Sequence, residues 1–82
     1  MENKLVTLQT IYNMVKDNPH PTTSLLQSNE LVLRQNFPWD EVVNHLNELQ
    51  AEGLVIMKQL SIAAISITDK GLQYMRELMH VI

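Results

Sequence analysis

Three histidines and one pair of carboxylates are the side chains best suited to acid–base or metal chemistry. His20, His45 and His80 lie far apart in the chain, without the short His-x-x-x-His spacing that typifies a metal site. Glu48 and Glu52 are one helical turn apart, which a metal or an acid pair could use. A solvated acidic face explains this spacing far more often. We therefore predict no metal site.

Motifs for nucleophilic catalysis and phosphate binding are also missing from the sequence. The serines are not set in a nucleophile elbow, and no base neighbours them. Gly53 and Gly71 are the only glycines, so there is no glycine-rich loop to cradle phosphate. The chain contains no cysteine, which excludes disulfides and thiolate chemistry. We predict that the protein is not an enzyme and that it uses no cofactor.

Composition limits the remaining classes of function. The 82 residues allow one domain, 1–82, and the 45% apolar content is high enough for a packed core. The net charge of −3 counts against strong nonspecific binding to DNA. No apolar run reaches membrane-spanning length, and the first ten residues lack the apolar core of a signal peptide. We expect a cytoplasmic protein with no membrane partner.

The stretch from Phe37 to Leu54 contains the clearest secondary-structure pattern. Its apolar residues recur at helical spacing, and Pro38 suits the first turn, so we predict a helix over about 38–52. Gly53 can end that helix in a left-handed conformation. The stripe expected to face the core comprises Trp39, Val42, Val43, Leu46 and Leu49.

Further elements are predicted on both sides of this helix. Apolar residues at helical spacing predict a first helix over about 3–17, which Asn18-Pro19 ends. A short second helix is expected over 28–35, although a start near Ser24 remains an alternative. Strands are expected over 54–60 and 64–68. Thr68 then suits the N-cap of a last helix.

The residues LNELQAEGLV, followed by ISITDKGLQYM, resemble the third helix, wing and closing helix of small bacterial or phage-related winged helix-turn-helix proteins. The resemblance covers Trp39 to about Leu78. It implies an α+β fold, in which three helices precede a two-stranded wing and a C-terminal helix. Many proteins of this kind are DNA-binding transcription regulators, whereas others mediate protein contacts. Fold alone does not choose between these functions.

The resemblance also implies which residues would contact DNA. The third helix would enter the major groove, where Asn44 and Asn47 could bind adenine edges and Gln50 would assist from the flank. Arg34 and Lys58, with Lys16, would supply contacts to phosphate. Two acidic residues argue against this contact with DNA. Glu41 and Glu48 lie on the predicted outer face of the helix and would repel phosphates. A purely solvated face is an equally good interpretation.

The last helix has two apolar stripes. Leu72, Met75, Met79 and Ile82 form the stripe expected to face the core. The second stripe, expected to face outward with Ile62 nearby, predicts a homodimer and comprises Tyr74, Leu78 and Val81. The competing interpretation buries both stripes in a groove between the first helix and the hairpin.

Two functions therefore remain open. The first is a dimeric DNA-binding regulator, and the second is a winged-helix module that binds a protein without binding DNA. A positive surface around Asn44, Asn47, Arg34 and Lys58 favours the first, whereas a neutral or acidic surface favours the second. Trp39 bears on the same choice, because it could be an exposed anchor for a partner. We expect it instead to pack in the core, since large aromatics dominate small cores.

Overall fold

The protein is a small α+β fold, seen in a computed structural model that describes residues 2–59 and 63–80. Its first half contains helix α1 (Asn3–Val15), a 3-10 turn (Pro21–Thr23), strand β1 (Leu26–Gln27) and helix α2 (Ser28–Leu33). Its second half contains helix α3 (Trp39–Ala51), strands β2 (Val55–Gln59) and β3 (Ala63–Ile67), and helix α4 (Asp69–His80). The predicted helices and the two predicted strands are confirmed to within about two residues at most ends.

The sheet differs from the predicted two-stranded wing, because it has three antiparallel strands in the order β1-β3-β2. Leu26 in β1 pairs with Ile65, and Met57 in β2 pairs with the same residue from the other side. Strand β1 is only two residues long, and its partner is distant in sequence, so no local alternation marks it. The element order and the sheet are compatible with a winged-helix-like arrangement. The connection predicted at Ser61 and Ile62 lies outside the described residues.

The core lies between the helices and one face of this sheet. Of the apolar residues that predict the first helix, Leu8, Ile11 and Val15 are fully buried, whereas Leu5 and Tyr12 are half-buried and pack against the core. From α3, Val42, Leu46 and Leu49 join them, whereas Val43 is only half-buried. The rest of the core comprises Leu31, Leu54, Val55, Ile65, Ile67, Leu72 and Met75.

Trp39 corrects the predicted core. Its side chain is 46% exposed, so it is not a buried core residue as expected. Phe37 packs against the core instead, with its ring edge-on to the imidazole of His45 and 5.0 Å between ring centroids. Helix α3 also begins one residue later than predicted, so Pro38 is its N-cap rather than its first helical residue.

The turn after α3 is fixed by the start of α4. Gly53 has the positive φ of 77° that lets the chain leave the helix. The Thr68 hydroxyl donates to the carbonyl oxygens of Gly53 and Leu54, at 2.7 and 3.0 Å, and accepts a hydrogen bond from the Gly71 backbone N–H. The predicted N-cap role of Thr68 is therefore confirmed.

Two further contacts close this junction. The ammonium group of Lys70 donates to the carbonyl oxygen of Glu52, 3.0 Å away, at the end of α3. A Cβ atom placed on Gly71 would lie 2.2 Å from the carbonyl oxygen of Leu54, so only glycine permits this approach. Glu52-Gly53-Leu54 and Thr68 to Gly71, which lie within the two stretches that resemble winged helix-turn-helix proteins, therefore form one structural junction.

No helix in the described part of the chain is both long enough and apolar enough to span a bilayer.

Candidate functional site

The solvent-exposed surface of α3 is the candidate site, and it divides into three strips along the helix. The outward strip contains Asp40, Asn44, Asn47 and Ala51, and all four side chains are exposed. This strip lies opposite the buried residues of α3, as expected for an amphipathic helix. Asn44 and Asn47 therefore lie where the sequence predicted, with amide groups that can both donate and accept hydrogen bonds.

The second strip is acidic and lies on the edge of α3 that faces α1. It contains Glu41, Glu48 and Glu52, which recur at helical spacing and are all exposed. Lys4 of α1 binds the Glu52 carboxylate across this edge, with 2.9 Å between Nζ and Oε2. The hydrogen bond to Glu52 is the main cause that raises the pKa of Lys4, and Glu48 adds a smaller effect of the same sign. One cation therefore faces several carboxylates here.

The third strip lies on the edge of α3 that faces β2. Trp39, Val43 and Gln50 recur along it at helical spacing, and Trp39 is exposed at the start of the helix. Gln50 accepts a hydrogen bond of 2.7 Å from the backbone N–H of Met57 in β2. This bond occupies a donor of the edge strand and holds β2 beside α3. The side-chain oxygen of Gln50 therefore has a structural role, and its contact with DNA stays a prediction.

The structure does not gather the predicted phosphate-binding cations around α3. Arg34 is exposed, but it lines a groove between α1, α2 and β1. Lys16 lies between α1 and α4, in a second groove that contains Arg76. Lys58 is exposed on β2, the strand that Gln50 of α3 contacts. The predicted set of Arg34, Asn44, Asn47, Gln50 and Lys58 is therefore split between two surfaces.

The histidine on α3 is part of a buried polar network. His45 is 8% exposed, and its Nδ1 atom lies 2.8 Å from the hydroxyl oxygen of Thr7 in α1. The Thr7 hydroxyl also lies 3.2 Å from Oε1 of Gln35, and the hydroxyl of Thr10 approaches the same oxygen. Nε2 of Gln35 is buried and has no partner within the described chain. His45 thus joins α3 to α1 and is not presented to solvent.

In the part of the chain that the structure describes, no three histidine, aspartate or glutamate side chains lie close enough together to hold a metal ion.

The predicted dimer surface is only partly presented to solvent. Tyr74 is 39% exposed, whereas Leu78 is half-buried and packs against the core. On the stripe expected to face inward, Leu72 and Met75 are buried, but Met79 is 40% exposed. Ile82 and Val81 lie outside the described residues. The buried face of α4 is therefore rotated relative to the predicted one, so that it includes Leu78 and excludes Met79.

Comparison of the chain with protein-family models finds no match, and comparison with curated proteins finds none either.

Two features of this region were not predicted from the sequence. The groove that contains Arg34 depends on β1, which carries no local signal. The bond between His45 and Thr7 joins residues that are 38 positions apart. The sequence did contain one signal for this bond. His45 is a polar residue beside the apolar stripe of an amphipathic helix, and buried polar groups require a partner.

Proposed function

We propose that this chain is a winged-helix module that binds a protein partner through the exposed surface of α3, and that the partner presents basic side chains there. One observation carries this proposal. The exposed carboxylates Asp40, Glu41 and Glu48 lie on α3 together with the exposed Trp39, whereas Arg34 lies in a separate groove. The α3 surface therefore combines negative charge with one large aromatic side chain.

The winged-helix part of the proposal is supported by the order of the elements. Helices α2 and α3 are consecutive, and β2 and β3 follow as an antiparallel pair that β1 extends. In this arrangement α3 takes the place of the recognition helix, and the β2–β3 hairpin takes the place of the wing. The exposed surface of α3 is then the surface that such modules present to their partners.

The charges favour a protein partner over DNA. DNA affinity comes largely from cations that replace counterions along the phosphate backbone. Lys58 is exposed on β2, whereas three carboxylates, Asp40, Glu41 and Glu48, are exposed on α3, and the net charge of the whole chain is −3. Glu41 and Glu48 would face the phosphates on one side of a major groove and repel them. A protein surface with Lys or Arg side chains turns the same carboxylates into attractive contacts.

Trp39 provides the apolar anchor for such an interface. Tryptophan is enriched among residues that dominate binding energy, because it removes a large apolar area from water. Its exposed indole can also stack on an arginine side chain of the partner. Leu33, the last residue of α2, is a second large apolar side chain that is exposed, at 84%. An apolar anchor bordered by carboxylates matches the usual composition of a transient interface.

A DNA-binding dimeric regulator is the second candidate, and the amides of α3 favour it. Asn44 and Asn47 are both exposed on the outward strip, three residues apart. A carboxamide can bind the N6 and N7 atoms of adenine with two hydrogen bonds, so this strip can read base edges. For this candidate to hold, the binding free energy from hydrogen bonds between these two amides and the bases must outweigh the repulsion between the acidic strip and the phosphates.

Selection from random-sequence DNA at low salt separates the two candidates. We expect the wild-type protein to enrich no sequence, and the Glu48→Lys variant to gain weak, sequence-independent retention because repulsion is removed. Asn44→Ala should behave as wild type does. If wild type instead enriched a defined motif, and Asn44→Ala lost it, the DNA-binding regulator would replace the protein-binding module.

Affinity capture from cells that naturally contain the protein tests the proposal directly. The wild-type protein should retain a partner with a basic surface, and retention should weaken as salt rises. A Trp39→Ser, Glu41→Lys variant should lose that partner. Glu77→Lys, which changes an exposed carboxylate on α4, is the matched control and should keep it. Equal capture by both variants would show that α3 is not the binding surface.

A further inference from the structure

A groove of about 540 Å³ lies between α1, α2 and β1, apart from the exposed surface of α3. Its size falls within the range of sites that bind small molecules. Two walls are helical and one is a strand, so its shape is set by secondary structure rather than by a long loop. The side chains that line it are Thr10, Asn13, Met14, Leu26, Glu30 and Arg34.

The groove holds two opposite charges that do not bind each other. Glu30 lies on α2, and Arg34 is the C-cap residue of the same helix, four positions later, a spacing at which such side chains commonly pair. In residues 2–59 and 63–80, however, both ion pairs within 4.0 Å involve Lys4, so Glu30 and Arg34 are not paired to each other. Each therefore retains hydrogen-bonding capacity toward the groove.

The remaining lining supplies one apolar wall and two neutral polar groups. Met14 and Leu26 are half-buried and pack against the core, so their exposed atoms form a fixed apolar surface. The Thr10 hydroxyl donates to the carbonyl oxygen of Val6 at 2.9 Å, which leaves its oxygen lone pairs as acceptors. Asn13 is exposed and can donate or accept.

We propose that this groove binds a free α-amino acid with an apolar side chain. The Arg34 guanidinium receives the ligand carboxylate, a pairing that is charge-assisted and often bidentate. The Glu30 carboxylate receives the ammonium group, with Thr10 as a further acceptor. The apolar side chain of the ligand lies on Met14 and Leu26 and removes apolar surface from water.

The pair of charges selects a zwitterion over simpler ligands. A carboxylic acid without an amino group would approach Arg34 but would meet repulsion from Glu30. An amine without a carboxylate would approach Glu30 and meet repulsion from Arg34. A ligand with both groups on one carbon satisfies both side chains, and Asn13 can bind either group.

The test uses the full chain, L-leucine and two analogues, with amide chemical shifts followed by NMR. We expect saturable shifts at α1 and α2 residues around the groove with L-leucine. Leucinamide lacks the carboxylate, and 4-methylpentanoate lacks the amine, so each should bind roughly tenfold or more weakly, as expected for a lost charge-assisted contact. Equal binding of all three compounds, or the absence of saturable shifts with L-leucine, would overturn the proposal.

Variants provide the second measurement. Arg34→Gln should weaken L-leucine binding roughly tenfold or more, because the ligand carboxylate loses its partner. The same variant should not weaken leucinamide binding and should raise its affinity, because that analogue has no carboxylate and its ammonium group no longer meets repulsion from Arg34. Glu30→Gln should show the converse pattern with 4-methylpentanoate. Arg76→Gln and Glu77→Gln alter exposed charges on α4 and are the matched controls. If the controls weakened L-leucine binding as much as the groove variants, the binding site would not be this groove.

Discussion

The hydroxyl oxygen of Thr7 lies 2.8 Å from the Nδ1 atom of His45, and this hydrogen bond connects α1 to α3 inside the protein. Thr7 is fully buried. Its hydroxyl carries a single proton, so donation to Oε1 of Gln35 would make His45 the donor through Nδ1–H. Removing the hydroxyl leaves a polar atom of His45 buried without its partner, which is costly away from water.

Thr7→Val tests this connection, because valine keeps the shape of threonine and removes the hydroxyl. We expect the variant to lose about 1–3 kcal/mol of unfolding free energy, the usual cost of orphaning a buried polar group. Thr7→Ser keeps the hydroxyl and is the control, with a smaller loss from the missing methyl group. Urea denaturation measures both. Unchanged stability in Thr7→Val would mean that His45 finds another partner.

The elements with a local periodic signal were predictable, and those that depend on distant partners were not. The helices α1 and α3 follow from apolar spacing, and Gly53 marks the end of α3. Strand β1 has two residues and exists because Leu26 pairs with Ile65, far along the chain. A period cannot be read from two residues.

The candidate site shows the same division. The exposure of Asn44 and Asn47 follows from the apolar stripe on the opposite side of α3. Trp39 begins the same helix but is exposed, while Phe37 packs on the core just before it. Which of two neighbouring aromatics is buried depends on the angle at which the chain enters the helix, and single-sequence spacing does not determine that angle.

Gly71→Ala is expected to destabilise the protein, although helix propensity alone predicts the opposite. Alanine is favoured over glycine in a helix by about 1 kcal/mol. Here the added Cβ would lie 2.2 Å from the Leu54 carbonyl oxygen and 2.8 Å from Cγ1 of Ile67, so α4 would have to move away from the turn. We expect a net loss of roughly 1–3 kcal/mol, typical of overpacking, in chemical denaturation.

Gly53→Ala is the informative comparison for that experiment. Its Cβ would meet the flexible side chain of Lys70 at 3.9 Å, so the cost comes from the positive φ rather than from a clash. That cost is about 1–2 kcal/mol. A Gly71→Ala protein more stable than wild type would show that the contact with Leu54 relaxes freely.

Leu46→Ala and Glu48→Ala test which side of α3 faces the core. Leu46 is fully buried and Glu48 is exposed, although the two residues are only two positions apart in the sequence. We expect the first variant to lose ~2–5 kcal/mol, the usual cost of truncating a buried leucine. The second should stay within about 0.5 kcal/mol of wild type. Equal losses of unfolding free energy in urea denaturation would mean that the buried face of α3 is assigned wrongly.

Helix α4 presents one large aromatic side chain, Tyr74, to solvent. We propose a homodimer in which Tyr74 is a central contact, because its large side chain is 39% exposed on a helix that otherwise packs inward through Leu72 and Met75. Closed two-fold pairing is the commonest way for a soluble chain to cover such a surface. Leu78 packs against the core, so it supports the helix rather than forming the centre of the interface.

Sedimentation velocity of wild type, Tyr74→Glu and Gln27→Glu distinguishes this dimer from a monomer. Tyr74→Glu should be folded and monomeric, because a charge at an exposed position harms an apolar interface more than it harms the fold. Gln27→Glu adds the same charge at an exposed position on β1 and should remain dimeric. Leu78→Glu should instead lower the unfolding free energy strongly, since it would bury a carboxylate against the core. A folded wild-type monomer at all protein concentrations would contradict the dimer and leave Tyr74 as a solvated residue of α4.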